Sequence, residues 1–128
     1  MTASPGRSME EGPSRRYCFD IDGVICETEG TDYHAARPRR DVIARINRLY
    51  DAGHEIVLQT ARGMGTLGGD LARVHEAWYA FTVEQMRGFG LRFHALYLGK
   101  THADFYIDDK GMNVVDWLQD GTAAEGEA

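Results

Sequence analysis

The sequence predicts an α/β fold of the doubly wound kind: a small, mainly parallel sheet with helices on both faces, three layers in all. Two observations carry that prediction. Strand-like apolar runs alternate with helix-like stretches, which implies parallel pairing with right-handed crossovers. The strand-like runs also end in residues bearing acid, hydroxyl or ammonium groups, and parallel strands bring such ends to one edge. The chain has 128 residues, the size of one domain.

The elements follow in order. The run YCFDI at 17–21 is rich in strand formers and makes the first strand. Residues 24–37 leave room for a turn and a short flap. Over 38–52, Val42, Ile43, Ile46, Leu49 and Tyr50 fall at helical spacing. Pro38 suits the first helical position, Asp41 the first turn and Gly53 the place after the end. The second strand is EIVLQ at 55–59, followed by a glycine-dense loop, ARGMGTLGG, at 61–69. Asp70 is the N-cap of a helix over 71–87, with Leu71, Val74, Trp78 and Phe81 as its stripe and Gly88 and Gly90 closing it. A third strand falls at 94–98, a fourth at 104–107 and a last short helix at 113–118. Residues 1–14 and 120–128 are polar, Gly-punctuated stretches read as flexible tails around a domain at 15–119.

Composition excludes several classes. The net charge is −6, against the basic face a nucleic-acid binder carries. No apolar run has the length of a membrane span, and the opening residues lack the apolar middle of a signal peptide. The two cysteines, Cys18 and Cys26, are read as buried and inert rather than as a disulfide framework. The expected location is cytoplasmic, with no nucleic-acid or membrane partner.

The chemistry stands at the strand ends. The first ends in Asp20-Ile21-Asp22-Gly23, the second at Thr60, the third before Gly99-Lys100 and the fourth in Asp108-Asp109-Lys110. Carboxylates in one crevice repel each other, and a divalent cation relieves them. Oxygen-only ligands point to Mg²⁺, which is commonly shared with phosphate. Lys100 and Thr60 add a charge and a donor for phosphate oxygens. Residues two apart on a strand point to one side, about 6.5–7 Å apart. One carboxylate of the Asp-x-Asp pair then reaches phosphorus while the other reaches the leaving-group oxygen.

These residues resemble, in order, the four motifs of the haloacid dehalogenase-like superfamily: Asp20-Ile21-Asp22-Gly23-Val24, Thr60, Lys100 and Asp108-Asp109. The stretch from Tyr17 to Leu118 is similar to its smallest phosphatases, which lack a cap domain. Thr60-Ala61-Arg62-Gly63-Met64, Gly99-Lys100 and the segment Ala103 to Lys110 are similar to short phosphatases associated with capsular polysaccharide and sugar-phosphate pathways. The resemblance implies a hydrolase, a phosphoric monoester phosphatase acting through an aspartyl-phosphate. In it Asp20 is the nucleophile and Asp22 the acid and base. Asp20, the backbone carbonyl of Asp22, and Asp108 hold Mg²⁺, with Asp109 direct or through water. Thr60 and Lys100 grip the phosphoryl group. An acid at position 22 is what phosphatases and phosphomutases of the superfamily carry, which disfavours dehalogenation.

With no room for a cap, the site is expected to be open or covered by a neighbouring copy in a homo-oligomer, a tetramer by the habit of cap-lacking relatives. The expected substrate is a phosphorylated sugar or similar small metabolite. Arg62 is the leading substrate contact, because guanidinium binds carboxylate or phosphate in a bidentate way, and His34 in the flap is the next. His54, His75, His94, His102 and Lys110 are read as structural. Three rival functions are weighed: a phosphomutase, a receiver-like phospho-signalling domain, and a catalytically silent subunit. A receiver domain, however, carries its acidic pair on the first strand, where this chain has Asp-x-Asp.

Overall fold

The computed structural model describes residues 12–127. Most of the tail expected over 1–14 therefore lies outside the described residues. The elements are β1 (Arg16–Asp20), the two-residue strands β2 (Cys26–Glu27) and β3 (Arg37–Pro38), α1 (Arg40–Asp51), β4 (Glu55–Thr60), α2 (Leu71–Gly88), β5 (Ala95–Leu98) and α3 (Val114–Glu127). A 3-10 turn at Tyr33–Ala35 sits between β2 and β3.

The main sheet is parallel, in the order β1-β4-β5. Its register places Phe19, Leu58 and Leu96 in one row. With Ile21 and Ile56 they join Val42, Ile43, Ile46 and Leu49 of α1, Met86 of α2 and Trp117 of α3 in a single apolar cluster. Each such side chain contributes about 1.5–3 kcal/mol when fully buried. Both crossovers advance the same way across the sheet, so right-handed connections put α1 and α2 on one face, where the sequence reading expects helices on both. Trp117 seats α3 on that face too, edge-on to Phe19 with centroids 5.1 Å apart and with the Arg45 guanidinium 4.1 Å from its ring centroid.

Strand periodicity sends Cys18 to the side opposite Phe19. There Cys18 is exposed, as is Tyr97. The expectation of two buried cysteines thus holds for Cys26 alone. Desolvation pushes both thiols above their ordinary pKa; at Cys18 the Asp20 carboxylate adds to it, and at the buried Cys26 the hydrogen bond with Thr28 works against it.

Three expected strands appear within a residue of their predicted limits. The fourth does not form. Residues 101–113 are irregular and exposed, with Phe105 at 83% and Ile107 at 95% exposure. The physical reason is pairing: a strand needs a neighbour, and among the described residues β1 pairs with β4 alone. The helix expected from residue 38 begins at Arg40, because Pro38 pairs with Cys26 in the β2–β3 ladder. On α2 the buried side runs through Val74, Thr82 and Met86, and Leu71 in its first turn is exposed. Asp70 caps that helix as expected, accepting from the Arg73 N–H. The last helix, expected over 113–118, continues to Glu127, through most of the stretch at 120–128 read as a tail.

Two histidines are structural, as read. His54 Nδ1 accepts from the Arg15 N–H at 3.1 Å, and His94 Nδ1 from the Ile56 N–H at 3.0 Å.

Candidate active site

Asp20 closes β1. Its Oδ1 accepts from the Ile21 N–H at 2.9 Å, and its Oδ2 accepts from Lys100 Nζ at 2.6 Å. Lys100 follows β5, and its backbone N–H donates to the Thr60 carbonyl at 3.1 Å. The carboxyl ends of all three parallel strands are thereby joined. The Lys100 ammonium also lies 4.0 Å from the Tyr106 ring centroid, a cation–π contact. Thr60 is buried, and its Oγ1 accepts from the Arg62 N–H at 3.0 Å.

Beyond Asp20 the chain turns at Gly23, whose φ of +88° belongs to the region glycine enters without steric cost. Asp22 stands just before the turn. Its Oδ1 accepts from the Thr28 hydroxyl at 2.5 Å and from Arg62 Nη2 at 3.0 Å, and its Oδ2 accepts from Arg62 Nε at 3.0 Å. Each of the two leading carboxylates therefore has its own cation: Lys100 for Asp20, Arg62 for Asp22. This pairing supplies part of the charge relief that the sequence assigns to a metal.

Arg62 is turned inward, away from the role of substrate contact expected of it. Its side chain is fully buried. Beyond the fork on Asp22, Nη1 donates to Gln85 Oε1 at 2.7 Å and Thr82 Oγ1 at 3.4 Å, and its guanidinium carbon sits 4.9 Å from the Tyr33 ring centroid. His34 is exposed and packs on Phe81 and Trp78, with centroids 4.3 and 5.6 Å away.

Asp108 and Asp109 lie on the exposed segment after β5, and no hydrogen bond or ion pair ties them to Asp20, Asp22 or Lys100. Asp108 Oδ1 accepts from the backbone N–H groups of Gly111 and Lys110, and these bonds hold its carboxyl below the usual range. Among the described residues, no three His, Cys, Asp or Glu side chains are placed to hold a metal ion. The structure thus gathers Asp20, Asp22, Thr60, Lys100 and Arg62, and leaves Asp108, Asp109 and His34 apart. Sequence reasoning missed Thr28, Tyr33 and Gln85. Thr28 lies in the stretch expected to be a flap, but nothing in its spacing marks it as a partner of Asp22.

The glycine-dense loop packs tightly where it meets α2. Gly63 has φ +78°, and a Cβ there would stand 2.7 Å from Trp78 Cδ1. Gly63→Ala is expected to cost about 1–3 kcal/mol through overpacking alone, with backbone strain added. Chemical denaturation should show a lower midpoint at unchanged slope.

No family model matches the chain, and no curated protein does. The fold is similar to that of a solved protein. A crystal structure of a structural-genomics target from Vibrio cholerae superposes with a TM-score of 0.77 at 24% identity, covering 89% of this chain and 99% of that one. At that identity the likeness speaks for the α/β fold with its parallel sheet. Among the described residues no helix is long and apolar enough to cross a membrane.

Proposed function

We propose that the protein is a Mg²⁺-dependent phosphomonoesterase of the haloacid dehalogenase-like type, acting on a phosphorylated sugar or a similar small metabolite. One observation carries this reading: Asp20, Thr60 and Lys100, from three parallel strands, meet at one sheet edge with a second carboxylate, Asp22, two residues from the first. A carboxylate nucleophile, an ammonium, a hydroxyl and an acid/base are the groups phosphoryl transfer through an acyl phosphate needs.

In this reading the Asp20 carboxylate attacks phosphorus, and the bond from phosphorus to the leaving oxygen breaks as the new one forms. Asp22 gives that oxygen a proton. It then takes a proton from a water that attacks the aspartyl-phosphate, so phosphate departs and Asp20 is restored. Lys100 moves from Asp20 Oδ2 to the phosphoryl oxygens, and the Thr60 hydroxyl donates to them.

As arranged, the described residues form only part of a Mg²⁺ site. Asp20 closes β1 at the sheet edge, while Asp108 and Asp109 stand on the exposed segment. We assign the ligand set to Asp20, the backbone carbonyl of Asp22, Asp108, and Asp109 direct or through water. The assignment has 104–107 pair along the open edge of β1 as a fourth strand of the parallel sheet. When bound, the ion offsets charge on the phosphoryl oxygens. The same reading includes a homo-oligomer, in which a neighbouring copy shields the crevice. Light scattering on the eluted protein checks it, and a monomer removes it.

The decisive assay measures phosphate release from a panel of sugar phosphates, nucleotides and phosphorylated sugar acids with Mg²⁺. Release is expected, lost on chelation and restored by added Mg²⁺. No release across the panel overturns the proposal.

A further inference from the structure

We infer that Arg62 is a positioning residue for Asp22: it holds the acid/base carboxylate in place and does not touch substrate. The inference rests on the phosphatase reading and deepens it. The guanidinium has five N–H donors, and each has an acceptor. Nε takes Asp22 Oδ2, Nη2 takes Asp22 Oδ1 and the Cys26 sulfur at 3.7 Å, and Nη1 takes Gln85 Oε1 and Thr82 Oγ1. With the side chain fully buried, no donor is left for a ligand. The fork on Asp22 uses two parallel bonds, which fixes the plane of the carboxylate as well as its place.

The support behind Arg62 is itself fixed. Gln85 Nε2 donates to the Tyr33 carbonyl at 2.7 Å, and the Gly63 N–H donates to the Tyr33 hydroxyl at 3.2 Å. The Arg62 N–H is bonded to Thr60 Oγ1. Strand end, flap, loop and α2 therefore converge on one guanidinium whose reactive-side contact is Asp22. A general acid matters in proportion to how badly the leaving group needs a proton. A residue that acts through Asp22 must show the same selectivity, and a residue that only stabilises the fold must not.

The experiment compares two esters: an alkyl phosphate, whose leaving oxygen needs the proton, and an aryl phosphate with an acidic phenol, which does not. Arg62→Met is expected to lower kcat/KM for the alkyl ester by about 10–100-fold and for the aryl ester by less than about threefold. Arg62→Lys should restore part of the alkyl activity. If Arg62→Met fails to fold, Gln85→Leu, which loosens Arg62 without touching Asp22, should show the same selectivity at smaller size. An equal fall on both esters overturns the role. A ¹⁵N-edited spectrum supplies a readout free of turnover: the Arg62 Nε–H signal should be protected from solvent exchange in wild type and lose protection in Asp22→Asn. Active wild type with a freely exchanging Nε–H removes the role alone. Wild type inert toward both esters overturns the phosphatase reading and this role with it.

Discussion

Asp20→Asn is expected to abolish turnover and leave the protein folded. The amide keeps the shape of the carboxylate and one oxygen to accept from the Ile21 N–H or from Lys100. It has no anionic oxygen to attack phosphorus, so loss of at least about 10³-fold is expected for a nucleophile. Lys100 loses its ion pair, but both side chains are partly solvated, at 16% and 32% exposure. Exposure of that order keeps the stability cost small, within the range of about 0–1 kcal/mol for solvated pairs. Phosphate release and a thermal melt on one preparation check both halves. Full activity in a folded Asp20→Asn protein would reassign the nucleophile.

Asp22→Asn is expected to behave differently on both axes. Turnover should fall by about 10²–10⁴-fold, since both the protonation of the leaving oxygen and the activation of water lose their agent. With an aryl phosphate the first half-reaction survives better than the second, so the phosphorylated protein should accumulate and be visible by intact mass. Stability should also fall, because Arg62 is left as a buried charge. The asparagine oxygen retains one acceptor, so the expected loss is about 1–3 kcal/mol, below the 3–5 typical of an orphaned buried partner. A melting-temperature drop in Asp22→Asn larger than in Asp20→Asn checks this ordering.

The two variants differ because of burial, and burial is where the sequence was least legible. Periodicity located β1, β4 and β5 within a residue and α1 and α2 nearly so, since each is marked by local pattern and by turn chemistry at its ends. The gathering of Asp20, Thr60 and Lys100 followed from parallel pairing alone. The segment 104–107 shows the opposite case. Its residues favour a strand, but a ladder is a tertiary event, and among the described residues β1 carries no partner on its outer edge. Arg62 shows another limit. The residue type announces a bidentate anion contact, and the structure supplies one, to Asp22 instead of a ligand. Nothing in ARGMG states which way the guanidinium turns. Cys18 was legible in principle: strand alternation with Phe19 already sends it to the opposite face.

In the phosphatase reading, the seat of Tyr33 bears on how substrate reaches Asp20. Its ring is buried against Trp78, with centroids 4.8 Å apart, and its carbonyl and hydroxyl are both bonded to α2 and the glycine-dense loop. The hairpin that carries it cannot swing outward without stripping that anchorage and disturbing Asp22 through Arg62. In the phosphatase reading, substrate then reaches Asp20 past Tyr106 and residues 101–113, and mutations that tune release are expected there.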